Sequence, residues 1–409
     1  MAGALMMIRS TILKLPLAAS ALVMLAGAAQ AGGFAIREQS AEALGNAFAG
    51  VAAGTDGLSA MFWNPATISK FSGDGLVTEG DASLILPYSR AKDGAGFLGN
   101  PDSGNIGVTA LVPSMYATYG INDQMTLGLA VTSPFGLSTD SDTWMGSPHG
   151  DVSKVRSLNI NPVLAFKPAR WITLAAGVEA EYASVDVSSS LPTGVPVFAA
   201  KGNDWGFGFT AGVLLQPSDY LDIGVGFRSS IHHKLTGDGM LKPFIPAGTF
   251  STTLDTPETV TAGVRLQATD KLALKAGVEW ANWSRFKSLD VAFDAPPVTV
   301  STAENWKDSW YFSGGADYQA TDALTLRAGL GYEVSPVDKA FRTPRLPDAN
   351  RLWLSAGASY KVTDNLTTSL GYSHIFVDDA KVSLTSPTPL SANFKGHIDI
   401  FSAGATIDW

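Results

Sequence analysis

The feature that most constrains this chain is a two-residue alternation of apolar with small or polar side chains, which recurs from about residue 74 to residue 409. In one such segment the apolar Leu272 and Leu274 are at even-numbered positions, whereas the charged Lys275 and Glu279 are at odd-numbered positions. Successive side chains of a β-strand point to opposite faces, so each segment predicts a strand with one apolar face. These segments are longer than the strands of about 5 or 6 residues that are usual in soluble proteins.

Fourteen such segments can be counted, and turns containing Asp, Asn, Gly or Pro separate them. Unpaired backbone groups cost several kcal/mol each in lipid, so strands cross a bilayer only as a closed barrel with an apolar outer face. We therefore expect an all-β fold, a fourteen-stranded antiparallel transmembrane β-barrel formed by residues 74–409. The predicted strands are 75–89, 106–120, 123–134, 153–168, 171–187, 203–216, 220–233, 256–268, 271–289, 305–319, 323–335, 350–362, 365–378 and 395–409.

The connections between these strands alternate between short and long, which predicts the orientation of the barrel. Short connections at 121–123 and 363–365 predict periplasmic turns. Long connections predict outward-facing loops, and they are 133–152, 188–202 and 334–350. The last strand ends in an aromatic residue, Trp409, and this ending resembles the signal that the barrel-assembly machinery reads.

The first 31 residues have the pattern of an export signal. Arg9 and Lys14 precede an apolar stretch, and Ala29-Gln30-Ala31 forms a small-residue cleavage site. The apolar stretch is shorter than the ~20 residues that a membrane-spanning helix needs. We therefore predict a signal peptide at residues 1–31, a mature chain that begins at Gly32, and location in the cell outer membrane.

Composition excludes several classes of function. The chain has no cysteine, which excludes disulfide scaffolds and thiolate metal sites. Its net charge of −9 argues against a nucleic-acid partner. None of the five histidines has a serine at a spacing that indicates a catalytic pair, so no enzymatic activity is expected. We expect no metal and no cofactor.

Residues 32–73 lack the alternation and are rich in Gly and Ala, with Asn64-Pro65-Ala66 near the end. Backbone without regular structure is tolerated at membrane depth where lumen side chains satisfy it. From these residues alone, two interpretations remain open, a plug inside the barrel and a disordered periplasmic tail.

Several motifs resemble those of the FadL/TodX family of outer-membrane transporters for long-chain fatty acids and aromatic hydrocarbons. In the N-terminal segment these are Gly33-Phe34-Ala35-Ile36, Glu38-Gln39-Ser40, Leu44-Gly45-Asn46-Ala47 and Asn64-Pro65-Ala66. Further matches follow at Ile121-Asn122-Asp123-Gln124, Asn159-Ile160-Asn161-Pro162, Asp204-Trp205-Gly206, Trp283-Ser284-Arg285-Phe286 and Leu346-Pro347-Asp348. The resemblance implies a hatch at residues 32–73 inside the barrel and passive transport of a fatty acid or another hydrophobic molecule by a monomer. A general diffusion porin is the alternative.

The resemblance also implies lateral release of the ligand into the membrane through a kinked strand. Ser133-Pro134-Phe135-Gly136 is the candidate kink, because Pro134 has no N–H for the ladder and Gly136 tolerates unusual dihedral angles. In the family the Asn-Pro-Ala motif of the hatch lies beside this kink. We therefore expect Asn64, with Pro65 and Ala66, to satisfy the backbone groups that the kink leaves free. An ordinary strand end and an ordinary Asn-Pro turn are the alternatives.

The resemblance further implies a ligand pocket above the hatch. It places Phe34 in that pocket, although Phe34 could equally be an anchor that wedges the hatch. Lys307 matches a family lysine that binds the ligand carboxylate, with an ordinary lumen charge as the alternative. The segment 182–190 contains no Lys or Arg where the fatty-acid transporter has basic residues, so a neutral alkane or aromatic ligand also stays open.

Apolar residues in two outer loops match the family's first capture groove in position. One loop carries Leu137, Trp144 and Met145 after Phe135, and the other carries Val197 and Phe198. Exposed apolar patches usually mark an interaction surface. Packing of one loop against the other is the alternative explanation.

Overall fold

The computed structural model describes residues 32–55, 57–71, 73, 75–96 and 98–409, so the proposed signal peptide lies outside the described residues. Short helices come first: α1 (Ala41–Leu44) and the 3-10 helices η1 (Val51–Ala53), η2 (Ser59–Phe62) and η3 (Pro65–Phe71), with η4 (Trp283–Arg285) later. Within the described ranges, no helix is long and apolar enough to cross a membrane.

The remaining elements are strands. They are β1 (Leu76–Ala91), β2 (Ala95–Gly96), β3 (Ala110–Asn122), β4 (Met125–Thr132), β5 (Gly136–Asp140), β6 (Val152–Ala169), β7 (Ile172–Ser190), β8 (Pro196–Ser218), β9 (Leu221–Arg228), β10 (His232–Leu241), β11 (Ile245–Asp255), β12 (Thr259–Thr269), β13 (Leu272–Ala281), β14 (Ser288–Phe293), β15 (Val298–Ala303), β16 (Ser309–Gln319), β17 (Leu324–Val334), β18 (Arg351–Lys361), β19 (Leu366–Val377), β20 (Ala380–Leu384) and β21 (Leu390–Asp408).

Antiparallel pairing of these strands closes a ring, because β1 pairs with β3 on one side and with β21 on the other. The predicted fourteen-stranded barrel is confirmed. Several wall strands are interrupted, so β4 continues into β5, β9 into β10 and β13 into β14. Closure leaves no strand unpaired along its whole length, so the ring has no free terminal edge.

Alternation in β1 separates the two faces of the wall. Glu79, Asp81 and Ser83 are buried on the lumen side, whereas Leu76 and Leu84 are exposed on the outer side. This agrees with an apolar surface toward lipid and a polar interior.

The wall extends further outward than the sequence predicts between β7 and β8. The sequence predicts a loop at residues 188–202, but the ladder continues through Val187↔Ala200 and Ser189↔Phe198, and only residues 191–195 form the turn. Val187, Phe198 and Ala200 pack in a buried apolar cluster with Phe250 and Phe293. Burial of this cluster stabilises strand structure beyond the membrane.

The N-terminal segment contacts wall strands on several sides of the ring. Helix α1 packs against β18, β19 and β21, η1 against β9 and β12, and η3 against β4, β6, β7 and β8. Nearly all its described residues are buried. These contacts put the segment inside the ring.

Lumen-facing glycines allow this close packing. A Cβ atom on Gly224 would lie 1.7 Å from the Ala52 carbonyl oxygen, and one on Gly226 would lie 1.8 Å from that of Trp63. Any larger residue would therefore displace the backbone of the N-terminal segment.

Candidate functional site

An apolar pocket lies between the N-terminal segment and the outer loops. It contains about 740 Å³ of space not filled by protein atoms, part of it open to solvent, and side chains of β6, β7, β8, β10 and β11 form much of its lining. Leu137, one of the predicted ligand-binding residues, lines it and is buried. The pocket's lining is mostly apolar, as expected of a site for a hydrophobic ligand.

Phe34 lines this same pocket from the N-terminal segment. Its ring centroid lies 4.5 Å from that of Trp283 and 6.0 Å from that of Phe135, and both contacts are edge-to-face. Trp306 and Phe286 complete the aromatic cluster around it, at 5.8 and 6.1 Å. A displacement of Phe34 would therefore change the pocket.

Two ionisable groups, which sequence reasoning missed, also line the pocket. Arg345 donates hydrogen bonds to the Val152 carbonyl oxygen at 3.1 Å and to Ser153 Oγ at 3.2 Å. Glu304 accepts a hydrogen bond from Trp306 Nε1 at 2.9 Å. Arg345 forms no ion pair with a carboxylate in the described part of the chain.

Burial perturbs both of these groups, which lie outside the strands, Glu304 between β15 and β16 and Arg345 between β17 and β18. Desolvation lowers the pKa of the Arg345 guanidinium to about 10 and raises the pKa of the Glu304 carboxyl to about 7. At neutral pH Arg345 is therefore still a cation, while Glu304 is close to its midpoint.

The prediction for Lys307 is wrong, because its side chain does not enter the pocket. It is 72% exposed, and its Nζ lies 2.6 Å from Asp338 Oδ2 on the outer surface. The backbone is irregular just before it, since Asn305 has a φ of 44°. Residues 304–308 do not form strand and β16 begins only at Ser309, so the alternation of β16 does not extend to Lys307.

A second, larger cavity lies further out, among the loops. It contains about 1450 Å³ of space not filled by protein atoms, part of it open to solvent, and Val197 and Phe198 line it together with Phe341 and Pro387. The two cavities share lining residues, and these are Val187, Leu289, Val291, Thr343 and Arg345. Arg345 thus lies where the outer cavity meets the inner pocket.

Trp144 and Met145 do not form an exposed capture patch. Both are buried in a loop cluster, in which the Trp144 ring lies 5.7 Å from the Phe394 ring. The expectation of exposure is therefore wrong for these two residues, and packing between loops accounts for their apolar character.

The wall is interrupted at Ser133-Pro134-Phe135, where β4 has ended and β5 has not begun. On one side β4 and β5 both pair with β6. Between the pairs Thr132↔Asn159 and Gly136↔Arg156 the kinked strand has one more residue than β6, as in a β-bulge. On the other side β3 pairs with β4 only as far as Val131, and the next contact is an isolated bridge between Gly107 and Thr139. The ladder between β3 and β5 is therefore open in this interval.

The N-terminal segment pairs with this kink from inside. Ala35 and Phe135 form an antiparallel bridge. The Ile36 amide donates to the Pro134 carbonyl oxygen at 2.7 Å, and the Gly136 amide donates to the Phe34 carbonyl oxygen at 2.8 Å. Gln39 then bonds both backbone groups of Ser133, donating to its carbonyl oxygen at 2.8 Å and accepting from its amide at 3.3 Å.

The expected role of Asn64 at the kink is wrong. Its Nδ2 donates to the Ala52 carbonyl oxygen at 2.7 Å and to the Val213 carbonyl oxygen of β8 at 3.0 Å. Its Oδ1 accepts from the Ala66 amide at 3.1 Å, and Pro65 packs with it against β8. Strands β6 and β7 separate β8 from the kinked strand, so Phe34–Gln39 satisfies the kink instead.

Buried ion pairs fix the same N-terminal residues to the opposite wall. Arg37 Nη1 lies 2.7 Å from Glu279 Oε1, and its Nη2 lies 3.4 Å from Glu333 Oε1. Glu42 pairs with Arg327 at 3.0 Å. Since an unpaired charge would be costly here, these partners hold the segment in one position.

Comparison with known proteins identifies what this geometry is similar to. The family model described as "Outer membrane protein transport protein (OMPP1/FadL/TodX)" matches residues 22–409. Outer membrane protein P1 of Haemophilus influenzae is 28% identical over 413 residues, which cover 88% of this chain and 89% of that protein. The long-chain fatty acid transport protein of Salmonella typhi is 26% identical over 402 residues, 89% of this chain and 92% of that protein.

Solved structures share the fold. The crystal structure of a Pseudomonas aeruginosa FadL homologue gives a TM-score of 0.85 at 24% identity, covering 92% of this chain and all of that one, a share of 100%. The toluene transporter TodX of P. putida gives a TM-score of 0.68 at 17% identity, covering 86% of this chain and 94% of that one.

Proposed function

Because this chain belongs to the OMPP1/FadL/TodX family of outer-membrane transport proteins, we propose that it carries a hydrophobic small molecule passively across the outer membrane. The ligand enters the outer cavity, where Val197 and Phe198 contact it, and passes Arg345 into the inner pocket. It then leaves sideways into the membrane through the kink. No cofactor or energy input is required for this path.

One observation carries the proposal. Residues Phe34–Ile36 form part of the pocket through the Phe34 ring and pair through their backbone with Pro134–Gly136. A ligand that displaces Phe34 would therefore also break the hydrogen bonds that close the kink. Binding in the pocket and opening of the wall are thus coupled through a single segment.

Sideways release is favoured by the chemistry of the ligand. Each CH₂ group transferred from water to the membrane interior contributes roughly 0.8 kcal/mol. A long apolar ligand that reaches the kink would therefore partition into lipid rather than into the periplasm.

Arg345 favours a long-chain carboxylate, a fatty acid, as the ligand. Its guanidinium lies at the junction of the two cavities and has no described carboxylate as an ion-pair partner. Charge-assisted hydrogen bonds to a guanidinium are among the strongest in proteins. The two cavities would hold the chain of such a ligand while Arg345 binds its head.

A reversible lock across the kink tests the proposal. The Ala35–Phe135 pair is flanked by hydrogen bonds, so its Cα atoms should lie within the 4.4–6.8 Å range of disulfides, as in pairs of this type. The native chain has no cysteine, so Ala35→Cys with Phe135→Cys introduces the only possible bridge. We expect uptake to stop on oxidation and to return on reduction.

The single-cysteine variants serve as controls and should not respond to oxidation. Cross-linking and heat-modifiable folding are checked by gel mobility. If the cross-linked, folded protein takes up ligand at the rate of its reduced form, the coupling of Phe34–Ile36 to release is wrong.

A further inference from the structure

A group of cations lies on the outer wall of the barrel, outside the transport path. Strands β6, β7 and β8 are neighbours, and their register aligns Lys154 with Asp186 and Asp186 with Lys201. Neighbouring strands are about 4.8 Å apart, so the backbones of the two lysines are roughly 10 Å apart. Arg156 lies in the next row toward the membrane, two residues along β6.

These side chains project from the outer face of the wall. Arg156 and Lys201 are exposed, whereas their neighbours Ser157 and Gly202 are buried. Together with Tyr182 and Ser184 they border a surface groove that contains about 1060 Å³ of empty space. We call this surface, formed by Lys154, Arg156, Tyr182, Ser184, Asp186 and Lys201, the basic groove.

The groove lies directly at the end of the apolar band. The next row inward contains Leu158, Tyr182 and Trp205, and the two rings lie 5.5 Å apart. Further along, Val178 and Phe207 are 65% and 75% exposed on the outer face. Aromatic residues mark the interface of barrel proteins, so the cations lie at the level of the lipid headgroups.

The direction in which the strands run places the basic groove at the level of the outer leaflet. The groove lies on the side of the wall where β7 and β8 extend to the outer turn at residues 191–195. The opposite ends of β6 and β7 meet in the tight turn at residues 170–171, as expected on the periplasmic side.

The cations of the groove have no ion-pair partner among the described residues. No carboxylate in the described ranges lies within 4.0 Å of the charged nitrogens of Lys154, Arg156 or Lys201, although Asp186 borders the same groove. By contrast, Arg90 on β1 and Lys395 on β21 pair with carboxylates. Three cations and one carboxylate line the groove, and the exposed Asp238 of β10 lies opposite Lys201 on its other side, so this surface has a net charge of +1.

We propose that the basic groove binds the phosphate groups of a phosphorylated glycolipid of the outer leaflet, of the lipid A type. Arg156 and the two lysines contact the phosphates, and the acyl chains lie along the apolar rows that contain Leu158 and Phe207. A lipid fits better than free phosphate, because the cations and the exposed apolar rows are continuous on one surface. This site is separate from the transported ligand, which binds inside the barrel.

The test compares lipid retention by the full-length protein extracted from outer membranes. The variant Lys154→Gln/Arg156→Gln/Lys201→Gln is compared with Arg90→Gln/Lys395→Gln, which removes two cations that already have partners. Native mass spectrometry measures bound lipid, and titration with lipid A carrying two phosphates or none measures affinity in detergent.

We expect the triple variant to bind lipid A with two phosphates at least tenfold more weakly, while the control variant changes less than twofold. Dephosphorylated lipid should bind the native protein as weakly as lipid A binds the triple variant. Equal retention by native and triple variants would overturn the proposal, as would equally tight binding of the dephosphorylated lipid. Inorganic pyrophosphate that competes at the same concentration as lipid A would also overturn it, since the acyl chains would then contribute nothing.

Folding is checked by heat-modifiable mobility on gels. If the triple variant does not fold, Lys154→Gln and Lys201→Gln are measured singly, and each should weaken lipid A binding about threefold. No change in either single variant would contradict the proposal in the same way.

Discussion

The Gly136 amide donates a hydrogen bond to the Phe34 carbonyl oxygen, with the nitrogen 2.8 Å from the oxygen. The two residues are distant in sequence, one in the first described residues and the other at the start of β5. Since the Phe34 side chain lines the pocket, this bond joins pocket and wall in one contact.

Removing the Phe34 ring should loosen that contact. Phe34→Ala deletes a buried aromatic side chain, a change that typically costs about 3–5 kcal/mol. We expect faster amide hydrogen exchange at Ile36 and Gly136, the two donors across the kink. Phe48→Ala is the control, since Phe48 is equally buried but packs on Trp63 and Trp353 instead. Equal acceleration in both variants would contradict a specific role for Phe34.

Arg345 should determine preference for a carboxylate. Loss of a charge-assisted hydrogen bond costs about 1.5–3 kcal/mol, so Arg345→Gln should weaken fatty-acid binding about 10- to 150-fold. Binding of an alkane of equal length should change less than about twofold by the same reasoning. Lys307→Gln, which removes an exposed cation, is the matched control. A fatty-acid affinity that falls with Lys307→Gln and not with Arg345→Gln would contradict the assignment.

Binding of a carboxylate should depend on pH through Glu304. Burial raises the pKa of Glu304 to about 7, so this pocket residue is mostly neutral at pH 6 and mostly ionised at pH 8. An ionised Glu304 repels an anionic ligand, so affinity should fall as pH rises from 6 to 8, while Arg345 stays charged. Calorimetry at both pH values measures this. Glu304→Gln should abolish the dependence, and a neutral hydrocarbon should show none.

The raised pKa of Glu304 also makes the stability of the folded protein depend on pH. The folded-state pKa of Glu304 lies above the ordinary glutamate value of 4.5, so the contribution of this group to stability is fully present below pH 4.5 and is lost as pH rises through about 7. Glu304→Gln should therefore stabilise the protein at pH 8 relative to its effect at pH 4.5. Thermal unfolding at the two pH values measures the difference, and an equal effect at both would contradict the raised pKa.

Because the N-terminal segment packs closely on Gly226, a larger residue at this position should displace that segment from the lumen. Gly226→Val would place its Cβ against the Trp63 carbonyl oxygen, and overpacking of this kind costs about 1–3 kcal/mol or more. We expect displacement of the N-terminal segment and a large rise in single-channel conductance. Gly314→Val is the control, because a Cβ at Gly314 meets nothing within 4 Å. Unchanged conductance in a folded Gly226→Val variant would indicate that this segment does not block the lumen.

The sequence by itself determined the barrel, because the alternation of apolar and polar residues along each strand is a local property of the chain. In β13, Leu274 faces outward and Lys275 is buried, as the alternation predicts, whatever the rest of the chain does. Lipid requires the apolar side to face outward and the ladder to close. Strand number follows from counting the alternating segments and orientation from the alternation of short and long connections, and the motifs around Phe34 and Pro134 were enough for the family resemblance.

Only the tertiary structure decided which residues meet in the lumen and pocket. Lys307 was misplaced because β16 begins only at Ser309, so Lys307 lies outside the strand, and Arg345 was missed because its loop has no periodicity. Asn64 contacts Val213, whereas Gln39 contacts Ser133. These pairings depend on how the closed ring surrounds the N-terminal segment, and no local pattern encodes contacts between residues so far apart in the chain.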